Sequence, residues 1–244
     1  MLVGELWDTF GTVDGKLVRT VSLLMSRPGA LTVEWLRGRR EPYLRPLNLY
    51  LTVSAAYFAA AVATFRPDEL RRRLTPDQQR LGAKARAIAE QKYATAVPPV
   101  RAMMVGGGRF MADPVEGMRE ALPFAPRLMF VLVPLFALLI GRAFRHRGWR
   151  YPAHLYFALH VFAFYFAVSL AQRGIAVYGP RWLHAPAAWV AGLWTLSYFA
   201  LAMRRVYGGR WVATGARVAS IGAAFYVLFQ VGMILDAILL LGMR

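Results

Sequence analysis

Histidines and charged residues inside apolar stretches are where this chain could do chemistry, and there are few of them. His160 is the first candidate. Tyr156, His160 and Phe164 recur every fourth residue, so on a helix they share a face. A histidine in a stretch of membrane-spanning length either binds a cofactor through a ring nitrogen or stays neutral in a hydrogen bond. A bis-histidine haem needs a second histidine at the same depth on another helix. His154 lies on the same stretch, about 240° round the helix, and His184 falls at the opposite end of its own stretch, so no haem is expected. One axial histidine suffices for a chlorophyll, which leaves His160 as the cofactor-binding candidate for a pigment or other ligand. The plainer expectation is a neutral His160 hydrogen-bonded to Tyr226, Thr195 or Ser54. The aromatics of the same stretch, Tyr151, Tyr156, Phe157, Phe162, Phe164, Tyr165 and Phe166, could line a quinone or pigment site, or simply pack against lipid and neighbours.

Asp236 is the one acid within an apolar stretch. A proton relay, an intramembrane aspartyl protease or a glycosidase would each need a second carboxylate, so no catalytic residue is assigned and no enzyme is expected. The reading favoured is structural, an ion pair between Arg127 and Asp236, because a lone charge in hydrocarbon costs several kcal/mol (~3 or more) unless paired. Arg127 should lie about one turn, and Asp236 about two turns, below the same surface, at about 5.4 Å per turn. Arg181 and His184 are the fallback partners. Cysteine is absent, which removes disulfides, zinc ribbons, iron–sulfur clusters and thiol nucleophiles; no metal site is expected. Gly106-Gly107-Gly108 is followed by Arg109-Phe110 rather than by the Lys-Ser or Lys-Thr of a phosphate loop. A flexible turn is expected there.

The elements that carry these residues are apolar blocks. The chain has 244 residues and is 57% hydrophobic, against about 45–50% for globular proteins. Stretches of roughly 20 residues are needed to cross a bilayer as a helix. Five are expected: Pro46–Phe65, Leu122–Ile140, Tyr151–Gln172, Leu183–Met203 and Thr214–Met243. The fold class is therefore all-α, a polytopic membrane helix bundle. Residues 1–45 read as interfacial amphipathic helices, 46–65 as the first span, 66–122 as an extramembrane helical segment and 123–244 as a four-helix transmembrane region. In the first part, Leu17, Val21, Leu24 and Met25 share a helical face, Arg27-Pro28-Gly29 ends that helix, and Thr32 to Leu36 form a short one that places Trp35 at the headgroup level. In 66–122, Thr75-Pro76-Asp77-Gln78 is a capping box with proline at the first helical position, which predicts a helix to about Ala96 stopped by Pro98-Pro99. Asp113-Pro114-Val115-Glu116 repeats the start signal. Small residues at helical spacing mark two faces for helix contact: Ala55, Ala59 and Ala63, and Gly215, Ala219 and Ala223.

The net charge of +17 accompanies no nucleic-acid-binding motif, so no nucleic acid is expected. Membrane lipids are the expected partner, each juxtamembrane Lys or Arg contributing about 1 kcal/mol at an anionic surface. Arg37, Arg39, Arg40 and Arg45 form the headgroup cluster before the first span. Basic residues there and in the second-to-third and fourth-to-fifth connections put the N-terminus in the cytoplasm and the C-terminus outside. This places residues 66–122 outside despite eleven Lys and Arg, which seven acids partly offset. Met1 to Phe10 carry Glu5 and Asp8 and no basic n-region, so the start should be retained.

Thr20, Leu24, Pro28-Gly29, Gly38-Arg39-Arg40, Tyr43, Pro46 and Leu49-Tyr50 resemble the pattern of a functionally uncharacterised family of bacterial inner-membrane proteins. His154, Phe157 to His160 and Phe164 are similar to that family's later histidine-containing segment. The resemblance covers the N-terminal third well and the rest loosely. Two departures are a missing cysteine-based zinc ribbon and Trp35 where tyrosine is usual. The resemblance implies an inner-membrane location and supplies no activity. The function expected is that of a non-enzymatic accessory or scaffolding subunit, joined to other membrane-protein subunits of an inner-membrane complex, photosynthetic or respiratory. The alternative is a small transporter or channel.

Overall fold

The computed structural model describes residues 15–242, and the side chains of all of these except 70, 73, 99, 102, 103, 120, 121 and 233–242. The N-terminal stretch read as retained lies outside the described residues, as does the side chain of Asp236. The described chain is helical throughout. A helix over 15–26 (α1) is followed by α2 (Ala30–Leu36), α3 (Pro46–Ala63), α4 (Pro67–Arg73), α5 (Pro76–Lys92), α6 (Pro98–Ala112), α7 (Pro114–Ala121), α8 (Ala125–Ala143), a 3-10 turn at Arg145–Arg147, α9 (Tyr151–Tyr178), α10 (Arg181–Tyr207) and α11 (Trp211–Gly242). Five of them, α3, α8, α9, α10 and Trp211–Gly232 of α11, are long and apolar enough to span a membrane. The chain is an all-α polytopic bundle.

Contacts divide it into two units. One comprises Met1–Tyr57 and Val133–Phe225, the other Phe58–Leu132 and Tyr226–Arg244. The first unit is built round α9, on which His154, Phe157, His160, Phe162, Phe164 and Phe166 are all buried. These aromatics are spent on internal packing. Phe164 stacks on Tyr198 of α10 at 3.5 Å between ring centres, and Phe162 meets Phe136 of α8 edge-on at 5.2 Å. Such pairs contribute about 0.5–1.5 kcal/mol each beyond the area they bury.

The second unit contains the α5–α6 hairpin. Thr75 caps α5 as its sequence requires, with the Gln78 amide donating to Thr75 Oγ1 and the Thr75 amide to Gln78 Oε1. Asp113 does the same for α7, its Oδ1 accepting from the Glu116 amide. Pro98 opens α6 as well as following the end of α5. The Gly106-Gly107-Gly108 segment is not a turn. It lies inside α6, and the reason is packing against α5. A Cβ on Gly108 would come within 2.9 Å of the Ala89 Cβ and 3.1 Å of the Arg86 Cα, and one on Gly82 within 2.8 Å of the Ala112 Cα. Glycine costs a helix about 1 kcal/mol relative to alanine; here it permits a backbone approach that a methyl group would block. Arg71 ties the base together, reaching Asp113 at 3.1 Å and Glu116 at 3.6 Å.

Candidate functional site

Of the residues singled out for chemistry, His160 lies in the first unit where α2 packs against α9 and α10. Gly29 makes that possible. Its φ of 73° is unfavourable for a residue with a Cβ, and such an atom would lie 2.9 Å from the Ala202 backbone. Arg205 on α10 fixes the turn by donating from Nη1 to the Pro28 carbonyl at 2.6 Å. Leu31, Thr32 and Trp35 then share the buried side of α2. Trp35 is only 7% exposed and meets Tyr156 edge-on at 5.8 Å. It is thus covered by protein.

His160 is buried, and its partner is none of the three residues the sequence suggested. Nδ1 is hydrogen-bonded to Thr32 Oγ1 at 2.9 Å. Thr195 instead donates to the Ala191 carbonyl, Ser54 to the Leu51 carbonyl, and Tyr226 is 63% exposed. The cause is the position of α2, which packs against α9 and α10 and brings Thr32 to His160. Two nitrogens in this seam, His160 Nε2 and Trp35 Nε1, are buried without a hydrogen-bond partner among the described residues. Nε2 is the ring nitrogen left for an axial ligand, and protein atoms cover it.

His154 faces elsewhere, as the helical angle between the two histidines requires. Its Nδ1 is hydrogen-bonded to the Tyr207 hydroxyl at 2.9 Å, and Gly141 lies against its ring edge. Tyr207 gathers a cluster at this end of the unit. It stacks on Phe144 at 4.2 Å, and its carbonyl accepts from Arg147 Nη2. Arg217 lies over Phe144 at 4.7 Å. His184 Nε2 is hydrogen-bonded to the Gly179 carbonyl at 3.2 Å.

Arg37, Arg39, Arg40 and Arg45 are all exposed. Arg37 and Arg39 share Glu34, at 3.7 and 3.3 Å, and Arg40 covers Trp35 at 5.4 Å. In the second unit Arg127 is exposed, with its guanidinium over Phe124 at 5.2 Å. The proposed partner Asp236 falls outside the described side chains. Among the described residues no group of three or more His, Asp or Glu could hold a metal ion.

Residues 14–58 match a family described as a protein of unknown function, DUF3667. No curated protein and no solved structure matches the chain. The matched segment contains α2 and Gly29, while the residues that receive α2, Tyr156, His160, Ala202 and Arg205, lie beyond it. Within it Thr20 and Leu24 are fully buried, and Thr20 Oγ1 accepts from the Leu44 amide at 3.0 Å while donating to the Lys16 carbonyl at 2.6 Å. Leu49 and Tyr50 are buried in α3, Tyr50 facing Phe166 at 6.1 Å. The segment thus supplies α2 to the packing on α9 and α10, and Tyr50 of α3 to α9. Thr32 and Arg205 were the members that sequence reasoning missed. The one signal for Thr32 was its spacing from Leu31 and Trp35, which puts all three on one side of a short helix.

Proposed function

We propose that this chain is a non-enzymatic accessory or scaffolding subunit of a larger inner-membrane assembly, with its N-terminus in the cytoplasm. The observation that carries the reading is the state of α11. Of its described residues only Thr214 and Ile221 are buried, and the side bearing Gly215, Ala219, Gly222 and Ala223 is exposed. A Cβ on Gly215 or Gly222 would meet nothing within 4 Å. Small residues at such spacing in a span serve close helix contact, since backbones can approach where side chains are short. Ala55, Ala59 and Ala63 of α3 are exposed in the same way. The resemblance to bacterial inner-membrane proteins supports the location, and the basic short loops support the orientation.

Gentle detergent extraction, identification of co-purifying membrane proteins and an absorption spectrum test this. A defined partner set should accompany the chain and be lost from a Gly215→Leu/Gly222→Leu variant that still extracts as a folded protein. A clean, colourless monomer would overturn the subunit reading and favour the alternative, a small transporter or channel.

A further inference from the structure

The α5–α6 hairpin carries an exposed face that combines apolar side chains with cations that form no salt bridge among the described residues. On α5, Leu81, Lys84, Ile88 and Lys92 follow one another at spacings of three and four, a single stripe of the helix. Leu81 is 67% and Ile88 61% exposed. This stripe lies roughly 100° round α5 from Gly82 and Ala89, which face α6. On α6, Phe110 and Met111 are 45% and 57% exposed. Leu81, Phe110 and Met111, with Leu74 and Pro114, line one apolar groove of about 260 Å³, so the two helices turn these residues to the same side.

The charges on the hairpin are unbalanced at this surface. Between residues 78 and 92 the one acid is Glu90, which Arg86 holds at 2.9 Å. Glu69, Asp113 and Glu116 are engaged by Arg66, Arg71 and Arg119. Arg80, Lys84, Lys92, Arg101 and Arg109 are exposed and form no salt bridge among the described residues. Chain continuity supplies the other half of the argument. Only residues 64–66 separate α3 from α4, and only 122–124 separate α7 from α8. Both ends of the segment therefore enter spans directly, and the hairpin, about 25 Å long at 1.5 Å per residue, is tethered beside the bilayer at each end.

We propose that this face lies on the membrane surface, with Leu81, Ile88, Phe110 and Met111 at the boundary between headgroups and acyl chains and Lys84 and Lys92 reaching anionic lipid headgroups. A lysine suits this geometry because its methylene stem runs along apolar surface while the ammonium stays at the phosphates. An amphipathic surface of this kind binds through buried apolar area plus attraction to anionic lipid. The partner is a lipid surface, and the site is independent of the α11 face.

The absence of cysteine makes the test direct. Ile88→Cys and Ala83→Cys each offer one attachment point for a nitroxide spin label; Ala83 is exposed and lies about 200° round the helix from Leu81. The full-length protein is reconstituted in bilayers of phosphatidylcholine and phosphatidylglycerol in equal parts, and of phosphatidylcholine alone. In the mixed bilayer the label at 88 should collide with oxygen and be shielded from a water-soluble nickel complex, while the label at 83 shows the reverse. In phosphatidylcholine alone, or with Lys84→Glu/Lys92→Glu, nickel access at 88 should rise several-fold. Equal nickel access at 88 and 83 in the mixed bilayer would overturn the proposal. So would shielding of 88 from both reagents, which would mean that a second copy or another protein covers the face, and so would access at 88 indifferent to lipid charge and to the lysine variants.

Discussion

At the scale of single residues, the decisive contact is between Thr32 and His160. A buried imidazole loses stability for each nitrogen left without a partner, and here Nδ1 is served by a hydroxyl from another helix while Nε2 has no partner among the described residues. Thr32→Val removes that hydroxyl at nearly constant volume and strands Nδ1, a loss of about 1–3 kcal/mol. Adding His160→Phe removes the stranded group, so the double variant should melt in detergent above Thr32→Val alone. Simple additivity of the two single losses would show that the contact carries no coupling. The histidine itself was legible as a residue of interest, since a ring with two polar atoms in an apolar stretch stands out. Its partner was not, because hydropathy ranks helices by their burial in lipid and cannot say that a short helix after Pro28-Gly29 is buried by protein. Asp113 allows a second residue-scale test. The Glu116 amide bonded to its carboxylate, with the Arg71 charge nearby, holds its pKa below the usual carboxylate value. A lowered pKa means the folded state binds its proton less readily than the unfolded state. Its contribution is therefore complete above about 3.9 and lost as pH falls through the lower folded value. Asp113→Ala should lose about 1 kcal/mol at neutral pH, the usual worth of a helix cap, and the gap to the parent should close in melts at acid pH.

The helices themselves divide into those whose ends are written in local chemistry and those whose interiors are set by a neighbour. Thr75 and Asp113 belong to the first kind, because a cap is a bond between residues three apart and needs no tertiary information. The glycine run of α6 belongs to the second. Read locally, three glycines disfavour helix; only the close approach of α5 reverses the balance. The two adjacent glycines respond differently to the same change. Gly108→Ala places a methyl against Ala89 and the Arg86 backbone, and overpacking of this kind costs about 1–3 kcal/mol. Gly107 is exposed, with nothing within 4 Å of an added Cβ, so Gly107→Ala should gain about 0.5–1 kcal/mol from helix propensity. Limited proteolysis within residues 66–122 is the measurement: Gly108→Ala should be cut faster than the parent and Gly107→Ala more slowly. The same rate for both would mean that the segment is governed by propensity alone and that α5 and α6 do not hold each other at this distance.

Across the whole molecule, the number of spans follows from composition, because about 20 uncharged residues in a row have few other uses. The five stretches read from hydropathy correspond to α3, α8, α9, α10 and α11, with ends displaced where caps or prolines intervene. Orientation depends on something else, the asymmetry of Lys and Arg between the two sides, and here the chain contains an internal conflict. The arginines at 142, 145, 147 and 150 lie in a short connection, and Arg204, Arg205 and Arg210 flank the next one on the same side. The segment 66–122 has more basic residues than either, on the opposite side. The proposed orientation rests on the short loops, because a segment of about 60 residues weighs less in the rule than they do. A phosphatase reporter, active only outside, fused after Ala94 should therefore be active, and the same reporter fused after Arg147 silent. A fluorescent reporter that folds only in the cytoplasm should give the opposite pair. The reverse pattern at both junctions would invert the bundle and bring the Arg37–Arg45 cluster to the outer face. Activity at neither junction would put both ends of α8 in the cytoplasm, so that α8 would not cross and the five-span bundle would be overturned.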